Sequence, residues 1–371
     1  MKHSWRVGRI VGIEIRIDSS WFVILILFTW SLASSYFPER FPDWPPFQHW
    51  LIGLMTSLLI FASVLIHELS HSLVAIAQGE KVKSITLFIL GGVAQISEEP
   101  KQPVQEFFMA LVGPLTSFAI GVVAFVLSFF LKGMSEPLGA VVFYLAMINI
   151  ILAVFNLLPG FPMDGGRVLR SIIWKVTGDL RKATQIASRV GQGFAFFLIF
   201  IGILQILRGS LSGFWLVFVG WFLHSAAVRG YQRVMVESLL KGVSASELMT
   251  KDFHAVPSTL LVQDLVDAYI LRQKERVFLV QDEGVLKGIV CLEDVKTVPR
   301  EKRAETPVAE IMTPRDKLEA VSLDSDGSAI LNSLTAKEIH QVPVMDGDRV
   351  AGIICRTDIL RFIQLRKDLG A

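Results

Sequence analysis

The sequence predicts a polytopic α-helical membrane domain of six transmembrane helices, followed by a soluble α/β tail built as an internal repeat. Three observations predict this. The chain has 371 residues, 52% hydrophobic and only 19% charged, with a mean hydropathy of +0.52. A soluble domain is about a quarter charged. The charge is also unevenly divided: residues 1–236 carry 18 Lys and Arg against 12 Asp and Glu, and residues 237–371 carry 18 against 22. Finally, the acidic second stretch matches itself at offsets of 63 and 64 residues. These features exclude a disordered chain, a collagen and a disulfide scaffold, and weigh against a single soluble globule. A net charge of +2 is too small to imply a nucleic-acid partner. Two cysteines, Cys291 and Cys355, are too few for a disulfide framework or a Cys-based zinc site.

A spanning helix needs about 20 mostly apolar residues. Uncharged runs of suitable length occur at 19–38, 44–67, 107–131, 137–163, 190–207 and 209–228, the second continuing past Glu68 to about Ala77. The first run is too long for a cleaved signal peptide, and no small-residue cleavage site follows it. Trp21, Trp44, Trp50 and Trp215 lie near run ends, where indole rings anchor helices at the interface. Orientation follows from the short loops: 15 basic residues fall on the side that receives the N-terminus, 78–106, 164–189 and 229–236, and three (Arg40, Lys132, Arg208) on the other. Both termini are therefore expected to be cytoplasmic, in a multi-pass protein of the plasma membrane. Unpaired cysteines agree with a reducing compartment for the tail. Between the runs, Ile13, Ile15 and Ile17 alternate with charged residues, and Val82, Ile85, Leu87 and Ile89 lie in a β-branched stretch that ends at Gly91-Gly92. Both read as strands.

One charged residue falls inside a predicted span, Glu68, and a carboxylate there costs roughly 2.5–3.5 kcal/mol to insert. It sits in His67-Glu68-Leu69-Ser70-His71. On a helix, His67 and His71 share a face one turn apart. Two such imidazoles can hold one zinc ion while the intervening glutamate serves as base toward the attacking water. The alternative is a pair of interfacial histidines beside an ion-paired glutamate. A catalytic zinc site takes three protein ligands. Asp164, at matching depth in Asn156-Leu157-Leu158-Pro159-Gly160-Phe161-Pro162-Met163-Asp164-Gly165-Gly166-Arg167, is the expected third. Two prolines and a diglycine there break the helix and let the backbone bend toward the metal. Asp164 as a helix cap, and His224 as a competing ligand, are the other readings.

His67-Glu68-Leu69-Ser70-His71 together with the Asn156–Arg167 stretch resembles the site-2 protease family of intramembrane zinc metalloproteases, over about residues 1–236. Gly113-Pro114-Leu115 and Gly91-Gly92 also resemble that family's pattern. The resemblance implies that His67, His71 and Asp164 ligate one zinc ion per chain and that Glu68 is the catalytic base. It also implies that Asn156 holds the substrate or polarises its carbonyl, with an interhelical hydrogen bond as the alternative. No PDZ-like insert separates the motifs, so a different regulatory domain is expected.

The tail supplies that domain. Glu247-Leu248-Met249-Thr250 matches Glu310-Ile311-Met312-Thr313, and Gly288–Asp294 matches Gly352–Asp358. Each copy reads as strand, helix, strand, turn, strand, helix, and such a pair buries its core between the copies. The whole is similar to a soluble α/β tandem CBS domain. That resemblance implies an adenine nucleotide in the cleft between repeats, with Asp294 and Asp358 on the ribose and Thr357 offering a hydroxyl. The family's Thr or Ser position holds Cys291 and Cys355 here, and a thiol is a weak donor. Dimerisation or substrate docking is the other reading of the tail.

The expected organisation is 1–236 membrane metalloprotease domain, 237–244 connector, 245–300 first CBS repeat and 301–371 second CBS repeat. The expected function is hydrolysis of a peptide bond within or near the transmembrane segment of a membrane-anchored protein, as in regulated intramembrane proteolysis. The expected partners are that substrate, the lipid bilayer, an adenine nucleotide and a second copy meeting through the CBS domains. Strand addition at 13–17 or 82–89 would hold the substrate in extended form. Because the connector is short and helical, the tail is expected to gate activity. The alternatives are a CBS-regulated membrane transporter, which calls for polar residues along a pathway, and a non-catalytic metal-binding scaffold, which calls for a closed four-ligand site.

Overall fold

The computed structural model describes residues 4–89, 91–96, 100–251, 253–273, 276–337, 339, 341–347 and 349–369. The chain divides into two compact units, Met1–Gln232 and Arg233–Ala371.

In the first unit, β1 (Ser4–Ile10) turns back at Val11-Gly12 into β2 (Ile13–Asp18). Asp18 then caps the next helix by accepting from the Ser20 N–H at 3.0 Å. That helix runs as α1 (Ser19–Ser31), passes through a π-helical stretch at Leu32–Tyr36 and ends as α2 (Phe37–Arg40). α3 (Pro46–Ala77) follows, then the hairpin β3 (Val82–Phe88) and β4 (Gly91–Ile96), then α4 (Pro103–Met134) and α5 (Glu136–Asn156). A short amphipathic α6 (Asp164–Thr177) leads to α7 (Leu180–Leu207) and α8 (Ser212–Leu240).

Among the described residues, five helices are long and apolar enough to cross a membrane: Ser19–Arg40, α3, α4, α5 and α7. α8 covers the sixth predicted run but is not among them, because His224 and Arg229 cut its apolar stretch short. α3 ends at Ala77, so one helix carries all of His67–His71. α4 begins earlier than its uncharged run and takes Glu106 into its first turn. Two of the tryptophans expected as interface anchors are packed instead. Trp44 stacks on Phe41 at 4.3 Å and donates to Glu136 Oε2 at 3.0 Å, and Trp21 is buried against Phe61. Trp50 and Trp215 are exposed.

The four strands form one sheet in the order β1-β2-β3-β4, with β2 and β3 parallel and each outer pair antiparallel. This corrects the expectation for substrate pairing. The stretches 13–17 and 82–89 lie in interior strands, already bonded on both sides, so neither can accept another strand. Among the described residues, the edges of the sheet are β1 and β4. Ile13, Ile15 and Ile85 bury the inner face of the sheet against Leu65 and Leu69 of α3.

The second unit contains α9 (Ala245–Leu248), β5 (Ala255–Val256), α10 (Val262–Asp264), a π-helical stretch at Leu265–Ile270 and α11 (Leu271–Gln273). It continues with β6 (Val277–Asp282), β7 (Val285–Cys291), α12 (Leu292–Lys296), α13 (Val308–Ile311), β8 (Thr313–Pro314) and β9 (Val321–Ser322). α14 (Gly327–Ala336), β10 (Gln341–Asp346), β11 (Arg349–Cys355) and α15 (Arg356–Asp368) complete it. The sheets run β5-β6-β7-β8 and β11-β10-β9. The two copies exchange their leading segments. Leu240 and Val243, ahead of the first repeat, and Ala245 and Leu248, at its start, pack with Ile330, Leu334, Val344 and Ile354 of the second. Val308, near the start of the second, packs with Val256, Phe278, Val280 and Val290 of the first. The match at offset 63 is the cause: Met249 lies against Gly352 and its counterpart Met312 against Gly288. A cut in the chain at residue 300 therefore does not separate the two cores.

Candidate metal centre

α3 brings His67 and His71 to one face, both about 95% buried. Each imidazole is oriented by α4. His71 Nδ1 lies 2.6 Å from the Met109 carbonyl oxygen and His67 Nδ1 lies 2.9 Å from Ser117 Oγ. A carbonyl only accepts, so His71 Nδ1 is the donor there, and in the neutral ring that tautomer leaves the Nε2 lone pair free for a metal.

Asp164 arrives from the other side. After α5 ends at Asn156, the chain passes through the loop Leu157–Met163, with a cis Phe161–Pro162 bond, and re-enters a helix at Asp164. The loop is pinned between two helices. Phe161 N–H donates to the Ala187 carbonyl on α7 at 3.1 Å, and a Cβ on Gly165, Gly166 or Gly191 would collide with loop backbone. The expected diglycine bend is thus a close approach of backbone to backbone. Met163, not Asp164, is the N-cap of α6. Asp164 Oδ2 is turned to the histidines instead, 3.2 Å from His67 Nε2 and 3.2 Å from His71 Nε2, while the two Nε2 atoms are themselves 3.2 Å apart.

These residues fit a metal ion. Tetrahedral zinc with bonds of about 2.0–2.1 Å places its ligand atoms about 3.3 Å apart. Two imidazole nitrogens and a carboxylate oxygen facing one another at that spacing need a metal ion or a proton among them, and the spacing is that of tetrahedral zinc ligands. Gly113 completes the cradle: a Cβ there would overlap the His71 ring and lie 2.7 Å from His67 Nε2. Among the described residues, these three side chains form the group able to hold a metal. His224 is not part of it and packs on the Phe196 ring at 5.0 Å.

Glu68 lies beside this group, half-buried, with the start of β4 crossing it. A Cβ on Gly92 would be 2.5 Å from Glu68 Cγ and 3.4 Å from Oε1. Asn156 ends α5, half-buried. The interhelical hydrogen bond weighed for it is made two turns earlier, by Asn149 Nδ2 to Ser63 Oγ at 3.1 Å, and Ser63 lies one turn before His67. Met109, Ser117, Asn149 and Glu106 were missed in the sequence. A hydroxyl four residues after Gly113 was the available sign for Ser117, whereas a backbone carbonyl such as that of Met109 leaves no sign.

In the second unit, Cys291, Asp294, Thr313, Lys317 and Glu319 line a cleft of about 270 Å³. Cys291 and Cys355 are N-caps of α12 and α15, in reciprocal boxes with Asp294 and Asp358. Asp294 Oδ2 accepts from the Cys291 N–H at 2.8 Å and from its thiol at 2.9 Å, and Asp358 Oδ2 accepts from the Cys355 N–H at 2.9 Å. Thr357 is exposed in the first turn of α15. Burial and the Asp294 carboxylate push the Cys291 thiol up to about 11; burial and the Asp358 charge push Cys355 up to about 12.

The family model of Peptidase family M50 matches residues 55–140 and 134–199, and that of the CBS domain matches 245–301 and 308–365. The chain is 35% identical, over 98% of its length and 96% of the relative's, to a Synechocystis sp. protein provisionally named a zinc metalloprotease. It is 34% identical, over 98% of its length and 94% of the relative's, to Rip3 of Mycobacterium tuberculosis, provisionally named in the same way. Among solved structures it is similar to a site-2 protease from Methanocaldococcus jannaschii, at 30% identity and a TM-score of 0.45, covering 62% of this chain and 95% of that one.

Proposed function

The protein belongs to Peptidase family M50, the site-2 protease family of zinc metalloproteases, with a tandem CBS domain, and from this premise we propose how its own residues act. It is an integral membrane metalloendopeptidase whose substrates are membrane proteins. His67, His71 and Asp164 hold one zinc ion, Glu68 is the catalytic base, and the bond hydrolysed lies within or near a transmembrane segment. The observation that carries the assignment is the convergence of His67 Nε2, His71 Nε2 and Asp164 Oδ2 at 3.2 Å beside Glu68.

When bound, the ion supplies Lewis acidity toward the scissile carbonyl and lowers the pKa of water to about 7. Glu68 takes the proton of the attacking water and delivers it to the leaving amine. Met109 and Ser117 keep both imidazoles turned so that Nε2 faces the ion. A helical substrate keeps its carbonyls in internal hydrogen bonds and must unwind before attack. The free edge of β4, which starts at Gly91-Gly92 against Glu68, offers backbone partners to the extended segment. Asn156 contacts the substrate as it approaches from the end of α5.

α8 serves as the sixth span, both termini are cytoplasmic and the membrane is the plasma membrane, on the charge asymmetry of the loops. The division at 1–236, 237–244, 245–300 and 301–371 describes the order of functions along the chain. The cleft with Asp294 binds an adenine nucleotide, Asp358 and Thr357 serve the equivalent place in the second repeat, and the CBS domains pair with those of a second copy. Nucleotide then gates cleavage only through unequal affinity for the open and closed forms. The transporter and scaffold alternatives lose ground to the open three-ligand set with a glutamate beside it.

Chelation and restoration test the proposal. Purified protein incubated with a single-span substrate should lose cleavage in 1,10-phenanthroline and regain it on zinc addition. Cleavage that persists in protein stripped of zinc contradicts the proposal.

A further inference from the structure

Glu106, in the first turn of α4, is fully buried, and its partner Arg170 on α6 is 4% exposed. Arg170 Nε donates to Glu106 Oε1 at 2.7 Å, and its Nη2 donates to the same oxygen. Arg167 Nε lies 3.6 Å from that oxygen. Together with Arg167, the pair reaches toward both halves of the metal centre. On one side, the Arg170 guanidinium lies over the Phe161 ring at 5.0 Å, in the loop that delivers Asp164. On the other, Arg167 Nη2 lies 3.4 Å from Met109 Sδ, and the Met109 carbonyl is what orients His71. Asp164, Arg167 and Arg170 occupy the first seven residues of α6, so a carboxylate on α4 holds the helix whose first residue is Asp164.

A buried ion pair is a poor device for stability alone. Its desolvation cost rivals its attraction, and well-packed apolar residues of similar volume often do as well or better. What it adds is a fixed register between the two elements. Here those elements supply different parts of one metal site, and their relative position has to hold ligand atoms 3.2 Å apart.

We propose that Glu106 and Arg170 are positioning residues for the metal centre: by locking α6 to α4 they set where Asp164 meets the two imidazoles. The proposal rests on the zinc assignment of His67, His71 and Asp164.

The test is zinc affinity by chelator competition on the full chain in detergent, with thermal unfolding of the zinc-free protein recorded alongside. In the double variant Glu106→Met/Arg170→Met, the midpoint of the zinc-free protein should not fall, whereas zinc affinity should drop about 10–100-fold, the usual effect of losing a ligand's supporting contacts. A folded double variant with wild-type zinc affinity overturns the proposal and leaves the pair purely structural. Glu106→Asp covers the case in which the double variant does not fold. It keeps the charge but withdraws it by one methylene, and it should fold and bind zinc more weakly; wild-type affinity there overturns the proposal equally. Wild-type protein that takes up no zinc removes the assignment beneath it, a different and separately visible failure.

Discussion

The Met109 carbonyl oxygen lies 2.6 Å from His71 Nδ1, which decides the chemistry at the opposite side of that ring. In the neutral ring with Nδ1 protonated, Nε2 is the acceptor, and it faces His67 Nε2 and Asp164 Oδ2 at 3.2 Å. A backbone atom of α4 thus turns an α3 histidine so that its Nε2 faces the place proposed for the metal.

Two glycines separate metal binding from catalysis. Gly113→Ala should abolish zinc binding, because its methyl group would overlap the His71 ring and crowd His67 Nε2. Gly92→Ala should keep zinc and slow cleavage by about 10²-fold, because its methyl group displaces Glu68 rather than a ligand. Metal analysis beside a cleavage assay checks both. Zinc retained in Gly113→Ala, or an unchanged rate in Gly92→Ala, contradicts this division.

Much of this was legible in the sequence because the chemistry is concentrated. A glutamate between two histidines in an apolar run is costly unless it works there, and helix periodicity alone puts His67 beside His71. The approach of Asp164, 93 residues after His71, was legible only through the proline and glycine pattern and the matching depth of two runs. Glu106 was not legible: an acidic residue at the boundary of an apolar run looks like a solvated end, and its burial comes from Arg170, 64 residues away. Likewise, strand character at 13–17 and 82–89 followed from alternation, but edge or interior position depends on which strand pairs with which. The exchange of leading segments between the repeats also lay hidden, since self-similarity gives the offset and not the partner.

The cysteines should behave as caps rather than reactive thiols. With Cys291 pushed up to about 11 and Cys355 to about 12, the neutral thiol dominates at neutral pH and the thiolate appears only as pH climbs toward those values. At pH 7.5 a thiol of pKa 11 is only ~0.03% ionised, against ~10% for an ordinary one. Alkylation by iodoacetamide should therefore be at least about 100-fold slower than for a free thiol and rise about tenfold per pH unit to beyond pH 10. A rate that levels off below pH 9 contradicts the cap geometry.

The capping boxes also shape any test of nucleotide binding. Asp294→Ala and Asp358→Ala should each cost about 0.3–1.5 kcal/mol without nucleotide, because the Cys291 and Cys355 N–H groups lose their acceptors. The Asn variants should retain most of that stability. Thermal unfolding of the full chain without nucleotide checks this. Unchanged midpoints in both Ala variants contradict the structural role, and a nucleotide effect is best judged in the Asn pair.

The central claim is that Glu68 is a base beside a metal it does not ligate. The most direct measurement compares Glu68→Gln with wild type in one preparation, scoring bound zinc by elemental analysis and cleavage of a single-span substrate. The account predicts one zinc per chain in both and cleavage by the wild type alone. Loss of zinc in Glu68→Gln, or cleavage above roughly a few per cent of the wild-type rate, would contradict it.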